Sequence, residues 1–558
     1  MNACLKSKKL WVLWMPIVHV VISIVWEMMH FPSGDDYPYE FMQVARDVGV
    51  SFEGERWMFY LLSKFCGVCL IFVLWNLIYV LVIRKSVCDI LFLIIGTVGI
   101  VLLYPNNYLL ETDNLLLYAN SLLYYPDYWQ SVYIGWWYNA CLMVVRHSIA
   151  LPLIQMWLYV GGVSYLSCKC RERWGKWAGI WPCLLLFLPE AWIICANPYR
   201  NCVYVVLGIW YYSLLFFEFI LNKNPGAKKV VFWTFFTAFF ALMRTEGLMV
   251  LFLYAFLCLG MWKCTKKKRI CALFGVLAVV LFFAFPQKIG EVKYYGKDYQ
   301  IVNHMEPLQE ILCNKDFSAE YEGAADDLQT IAEFVPLDRL KRNGLTGFRI
   351  YNYETVGTVN QTLRGEEEQN NFLRAATRIE KNNIGVFLNQ RLKCFVKSNG
   401  GMSGEVSQTI MEVKSFFELQ DLITLGDNYG INKILESKWS QKWLLNEAHS
   451  QMYFKLYHIL EWYSDVFWEL GGIWLLRLFV LLLLPTAGIG YFLQNKRKEN
   501  LIYIIIPLAL LAQWAGIILF SPVIKPVYYY PIYIFSIVWE YICIQMTREQ
   551  KIAAREEV

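Results

Sequence analysis

Two adjacent carboxylates, Asp35 and Asp36, sit in the segment FPSGDDYPY, Phe31 to Tyr39, where a long apolar run gives way to polar sequence. A carboxylate in that place could take the proton from an attacking hydroxyl as a general base. Pro, Ser, Gly and Asp also make ordinary solvated turns, so the pair alone decides nothing. Three further polar outposts interrupt apolar sequence: Glu111 and Asp113 in ETDN, Arg244 and Glu246 in ALMRTEG, and Lys525 ahead of Tyr528, Tyr529 and Tyr530. Carboxylates to accept a proton, and cations to steady a departing phosphate, are what transfer of a sugar from a lipid-linked phosphate requires. Its transition state is oxocarbenium-like and its leaving group gains charge. Arg244 has only residues 245–247 as loop between two apolar runs, which would hold its guanidinium close to a membrane surface. Boundary charges of this kind are functional candidates by default, the plainer alternative being an arginine that snorkels.

The elements that must position these residues are set by composition. Of 558 residues, 57% are hydrophobic, 17% aromatic and 17% charged, and the mean hydropathy is +0.37. That is more apolar surface than a soluble fold buries, so the expected class is an all-α polytopic membrane protein. The net charge of +5 is gathered in short basic clusters between apolar runs, a pattern that reports topology and not a nucleic-acid face. The 16 cysteines show no paired metal spacing, and most lie inside apolar runs as small hydrophobes. Neither a zinc site nor a disulfide framework is expected.

Read in order, Lys6, Lys8 and Lys9 precede an apolar run from Leu10 to His30, which places the N-terminus in the cytoplasm. That run reads as a membrane span and not as a cleaved leader, its apolar core being too long. Glu27 and His30 near its end read as interfacial residues and not as members of a relay. Apolar residues at helical spacing from Tyr39 to Arg56 suggest a helix lying on the membrane surface. Further spans are expected over Trp57–Ile83, Cys88–Tyr104, Ser148–Cys168, Trp177–Ala196, Cys202–Leu221, Val230–Met243, Leu248–Trp262, Ile270–Pro286, Phe467–Leu493, Ile502–Phe520 and Tyr528–Ile544. With alternating basic inner loops this makes about twelve spans and two cytoplasmic termini. Pro105 to His147, aromatic but polar-punctuated, reads as a re-entrant or interfacial hairpin.

Three regions follow: an N-terminal transmembrane module over residues 1–286, an extracytoplasmic helical domain over 287–466, and C-terminal transmembrane helices over 467–558. In the middle region Leu308, Ile311 and Leu312, and again Phe372, Ala375, Ala376 and Ile379, carry the spacing of amphipathic helices. Cys313 and Cys394 are its only thiols, and a bridge between them is open in an oxidising space.

The acidic GDDYPY after the first span, ETDN, the boundary motif ALMRTEG and the tyrosine-rich KPVYYYP resemble the integral-membrane glycosyltransferases of the GT-C superfamily. MEPLQEIL and EQNNFLRAATRIEKNN look closest to a bacterial polytopic branch of it. The resemblance implies a GT-C-like helix bundle that moves a sugar from a polyprenyl-phosphate-linked donor to an extracytoplasmic acceptor such as a cell-envelope glycan, lipid or protein. It implies Asp36, or Asp35, as catalytic base, and Glu111 and Asp113 as residues that position the acceptor or a metal. Arg244, Arg200, Lys525 and Tyr528 would bind the donor phosphate, and a divalent cation is the one cofactor these carboxylates could hold. Unlike the oligosaccharyl transferases, the chain carries its long polar segment between spans. The competing class is a transporter or flippase of a lipid-linked or envelope substrate. Internal repeats with polar interruptions at matching positions of two halves would mark it, and the sequence has none that convinces.

Overall fold

The computed structural model describes residues 10–29, 53–84, 87–102, scattered positions from 117 to 128, 131–196 apart from 148, 198, 200–221, 226–258, 266–295, 297–314, 321–341, 365–398, a few positions between 455 and 466, 472–494, 498–520 and 528–556. Among these residues every regular element is a helix, as the composition requires. In chain order the helices used below are α1 (Met15–Met29), α2 (Glu53–Arg84), α3 (Val87–Leu102), α4 (Val132–Val144), α5 (Ala150–Trp174), α6 (Lys176–Ile180), α7 (Pro189–Ala196), α8 (Arg200–Leu214), α9 (Ala227–Leu242), α10 (Met249–Phe256) and α11 (Lys266–Tyr295). They continue as α12 (Asp298–Cys313), α13 (Ala324–Phe334), α14 (Leu337–Leu340), α15 (Glu366–Asn382), α16 (Ile384–Ser398), α17 (Gly472–Gln494), α18 (Ile502–Phe520) and α19 (Tyr530–Glu556).

Among the described residues five stretches are long and apolar enough to cross a membrane: Trp11–Met29, Trp57–Val80, Arg200–Ile220, Ala272–Val292 and Ile502–Phe520. Several of the other expected spans are too short or are broken. The run 177–196 is divided into α6, a 3-10 turn at Trp181–Phe187 and α7, because Pro182 and Pro189 remove backbone donors and clash with the preceding turn. Helix α9 has 16 residues, against about 20 needed for a hydrocarbon core of about 30 Å.

The chain divides into two compact units. The first comprises Met1–Ala284, Ile410–Leu510 and Tyr530–Val558, and the second Phe285–Thr409 with Leu511–Tyr529. Within the first, α1 is inverted relative to a water-soluble helix. It buries Ser23 and Glu27 and exposes Val18, Val21, Ile22, Val25 and Met28. Polar groups inward and aliphatic groups outward is a sensible arrangement only where the surroundings are hydrocarbon. The core of this unit is aromatic: Tyr204 stacks on Phe240 at 4.3 Å, and Trp233 on Tyr211 at 4.6 Å and on Phe219 at 4.5 Å. Gly208 lets α8 approach α19 closely, since a Cβ there would lie 2.0 Å from Phe535 Cζ.

The second unit contains the amphipathic helices expected from spacing. Leu308, Ile311, Phe372, Ala375, Ala376 and Ile379 all fall in one buried cluster. Its sole buried aspartate among the described residues, Asp327 on α13, receives Arg378 Nε of α15 on both oxygens at 3.0 Å and the Tyr321 hydroxyl at 3.1 Å. Burial, and then the neighbouring Asp327 charge, pushes the Tyr321 phenol up to about 12. The thiols of this unit do not pair. Cys313 is exposed and donates to Lys341 O at 3.3 Å, whereas Cys394 is buried and donates to Glu306 Oε2 at 3.5 Å.

Candidate functional site

Helix α4 is the floor of the site. It has 13 residues, about 20 Å at 1.5 Å per residue, and all but Val144 are buried. Pairing its carbonyls at the C-terminal end, where intrahelical bonds run out, falls partly to α1. His19 Nε2 donates to Val144 O at 2.9 Å, and Trp75 Nε1 donates to His19 Nδ1 at 3.1 Å. Indole nitrogen only donates, so Nδ1 must be the acceptor, and the imidazole is the neutral Nε2–H tautomer.

Two turns further along α1, Glu27 is 3% exposed and lies at the centre of a charged cluster. Lys64 of α2 and Arg146, just past α4, both donate to its Oε2, and the Tyr124 hydroxyl donates to Oε1. Lys64 also donates to the Tyr124 hydroxyl at 3.0 Å, and Arg146 to Ser23 O at 3.3 Å. Aromatic faces wall the cations: Lys64 Nζ is 4.9 Å from the Tyr124 ring centroid and 5.2 Å from that of Tyr60, and the Arg146 guanidinium is 5.3 Å from that of Trp26. Among the described residues the cluster therefore carries two positive charges and one negative. The Glu27 side chain is 4% exposed, against 14% for Lys64 and 22% for Arg146, so the cations and not the carboxylate reach the outside.

Tyr124 adopts φ 59°, the left-handed region that costs an ordinary residue roughly 1–2 kcal/mol. Such strain persists where surrounding contacts over-determine it, and here the hydroxyl on Glu27 and the Tyr60 ring at 4.8 Å do so.

Arg244 lies between α9 and a 3-10 turn at Thr245–Leu248 and is 6% exposed. It is buried in the core of the first unit, with its guanidinium 6.0 Å from the Tyr204 ring centroid. Tyr204 is one turn along α8 from Arg200, which is partly buried at the start of that helix. Arg244 thus lies beside Tyr204 in the helix that Arg200 begins. Tyr528, 7% exposed, belongs to the second unit. Asp35, Asp36, Glu111, Asp113 and Lys525 lie outside the described residues. Among the described residues no three His, Cys, Asp or Glu side chains converge as metal ligands.

Glu27, Lys64, Arg146 and Tyr124 did not figure among the expected site residues, although a signal for two of them is present. Glu27 is the only carboxylate in the run from Leu10 to Met29, and Lys64 the only charged residue from Trp57 to Ile83. An ionisable side chain alone in an apolar span is a functional candidate by default. No family model, curated protein or solved structure matches this chain.

Proposed function

We propose that this chain is a membrane-embedded glycosyltransferase that moves a sugar from a polyprenyl-phosphate-linked donor to an extracytoplasmic acceptor. The observation that carries the reading is the cluster around Glu27. A surplus positive charge held in an apolar bundle costs free energy unless an anion completes it. A lipid phosphate is an anion that arrives with its own hydrocarbon tail. Lys64 and Arg146 bind that phosphate in this reading, Glu27 and Tyr124 hold the two cations in place, and Arg244 with Arg200 is the alternative seat. Lys525 and Tyr528 stay as further donor contacts.

The acidic pair follows Glu27 by eight and nine residues. The acceptor hydroxyl gives its proton to Asp36, its oxygen forms the bond to the anomeric carbon, and the bond from that carbon to the phosphate oxygen breaks with its electron pair on the leaving phosphate. Glu111 and Asp113 orient the acceptor, or hold a divalent cation with the acidic pair.

The test is transfer of labelled sugar from a short-chain polyprenyl-phosphate donor by the purified protein in sealed proteoliposomes, with donor binding measured alongside. Arg146→Met and Lys64→Met should weaken donor binding at least ~10-fold if each loses a charge-assisted contact of roughly 1.5–3 kcal/mol. Donor that crosses the bilayer intact, with no product formed by any acceptor fraction, would mark a flippase and end the glycosyltransferase reading.

A further inference from the structure

Helices α15 and α16 of the second unit turn opposite kinds of face outward. Helix α15 buries Phe372, Ala375, Ala376 and Ile379 and exposes Glu367, Asn371, Arg374, Thr377 and Lys381, the pattern of a helix between an apolar core and water. Helix α16 sets Val386 and Phe387 against the apolar core and buries Cys394 and Phe395, but departs from that pattern on part of its surface. It buries Gln390 and Arg391, together with Asn383 just ahead of it, and exposes Ile384, Leu388 and Leu392.

Each of these buried side chains donates a hydrogen bond within the unit. Gln390 Nε2 donates to Glu306 at 3.3 Å, Arg391 Nη2 to Asn303 O at 2.6 Å, and Asn383 Nδ2 to Ile379 O at 2.9 Å. The outward aliphatics recur at i, i+4 and i+8 and so form one continuous stripe along the helix. They are 53%, 49% and 55% exposed, so the unit itself leaves half of each uncovered. Polar flanks border the stripe, with Asn389 exposed and Lys393 donating to Glu310 at 2.6 Å.

We infer that α16 lies along the membrane surface, with Ile384, Leu388 and Leu392 seated in lipid. Three observations select lipid as the occupant. The inversion is the same one that α1 shows in its candidate span, where buried Ser23 and Glu27 face away from exposed Ile22, Val25 and Met28. The second unit includes the ends of two candidate spans, Phe285–Val292 of Ala272–Val292 and Leu511–Phe520 of Ile502–Phe520. Helix α16 packs directly on the latter, Phe395 lying 5.2 Å from Trp514, and 5.4 Å from Tyr529 just beyond. At 15 residues, about 22 Å, α16 is too short to cross a core of about 30 Å, so it lies along the boundary. Water meets the α15 side of the unit and acyl chains meet the α16 side. The inference stands independently of the proposed chemistry.

Photocrosslinking in intact membranes tests it. The photoreactive residue p-benzoylphenylalanine replaces Leu388 in the full-length protein, and in separate variants Ile384 and Thr377, so that misfolding of one apolar-position variant leaves the other to report. Irradiation followed by intact-mass measurement should give phospholipid adducts at 384 and 388 and none at 377. Crosslinks at 384 and 388 to another part of the chain, to a second copy or to a different protein would overturn the inference. So would equal lipid labelling at 377, or no adduct at either apolar position in protein shown to be folded.

Discussion

Lys64 and Arg146 reach the same carboxylate oxygen of Glu27, one from α2 and the other from the segment that follows α4. One buried charge thus ties three parts of the chain together. Removing it leaves two cations facing a neutral group, which in buried sites costs about 3–5 kcal/mol. Partial exposure of both cations puts Glu27→Gln at the lower end, about 3 kcal/mol, read as a lowered melting temperature in detergent. The double variant Glu27→Gln with Lys64→Met removes one of the stranded charges and should be more stable than Glu27→Gln alone. If the double variant is the less stable of the two, the charge-balance account of this cluster is wrong.

The partners of Glu27 show why this site was hard to read from the sequence. Lys64, Tyr124 and Arg146 are 37, 97 and 119 positions away, and no local pattern links them. Helical spacing did identify the buried sets in α12 and α15, because an amphipathic helix packed against its own neighbours writes its burial into its period. The same rule misleads at α16. A stripe such as Ile384, Leu388 and Leu392 reads as core-facing in water, and its direction reverses when the solvent is lipid. Expected span lengths failed where proline intervened, as at Pro182 and Pro189, since apolar composition persists through a helix break.

Gly488 and Gly490 on α17 give a paired test of packing. A Cβ at Gly488 would lie 2.0 Å from the Tyr503 carbonyl oxygen, backbone that cannot swing aside, whereas Gly490 has nothing within 4 Å. Gly488→Ala should therefore destabilise the protein by about 1–3 kcal/mol, as overpacking does. Gly490→Ala should be neutral or stabilise by roughly 0.5–1 kcal/mol through helix propensity. Thermal melts of the two variants decide it, and an equal effect would contradict the close approach of α17 to α18.

Alkaline melting should report the Tyr321–Asp327 contact. The folded phenol is raised from its ordinary value near 10 to about 12, so the folded state keeps its proton where the unfolded chain has lost it. Its contribution is complete below pH about 10 and disappears as pH rises through about 12. Tyr321→Phe should lower stability near neutrality by about 1 kcal/mol, the worth of one hydrogen bond. The gap between variant and wild type should then narrow over that alkaline window, and a gap that stays constant from pH 9 to 12 would remove the assigned contact.

Arg244 separates two uses of a buried cation. Its guanidinium lies over Tyr204, which is itself stacked on Phe240, and a planar group suits that position better than an ammonium does. Arg244→Lys should therefore recover little of what Arg244→Ala loses in stability. Donor binding is the discriminating measurement: if both variants bind the lipid phosphate as wild type does while Lys64→Met and Arg146→Met do not, the seat lies at Glu27 and Arg244 serves the core.

Under the proposed function Asp36 is the expected base ahead of Asp35, because in the sequence a glycine, Gly34, precedes the pair and Tyr37 and Pro38 follow it. A base facing a hydroxyl needs to be ionised and within reach, and two adjacent carboxylates can divide those tasks. Asp36→Asn keeps size and hydrogen-bonding capacity and deletes only the charge. It should lower transfer by about 100-fold or more, the low end of what general-base catalysis contributes, with donor binding and melting temperature unchanged. Asp35→Asn should cost less. Sugar transfer at an undiminished rate by folded Asp36→Asn would exclude Asp36 as the base, and the same result from the Asp35→Asn, Asp36→Asn double variant would reduce FPSGDDYPY to a solvated turn.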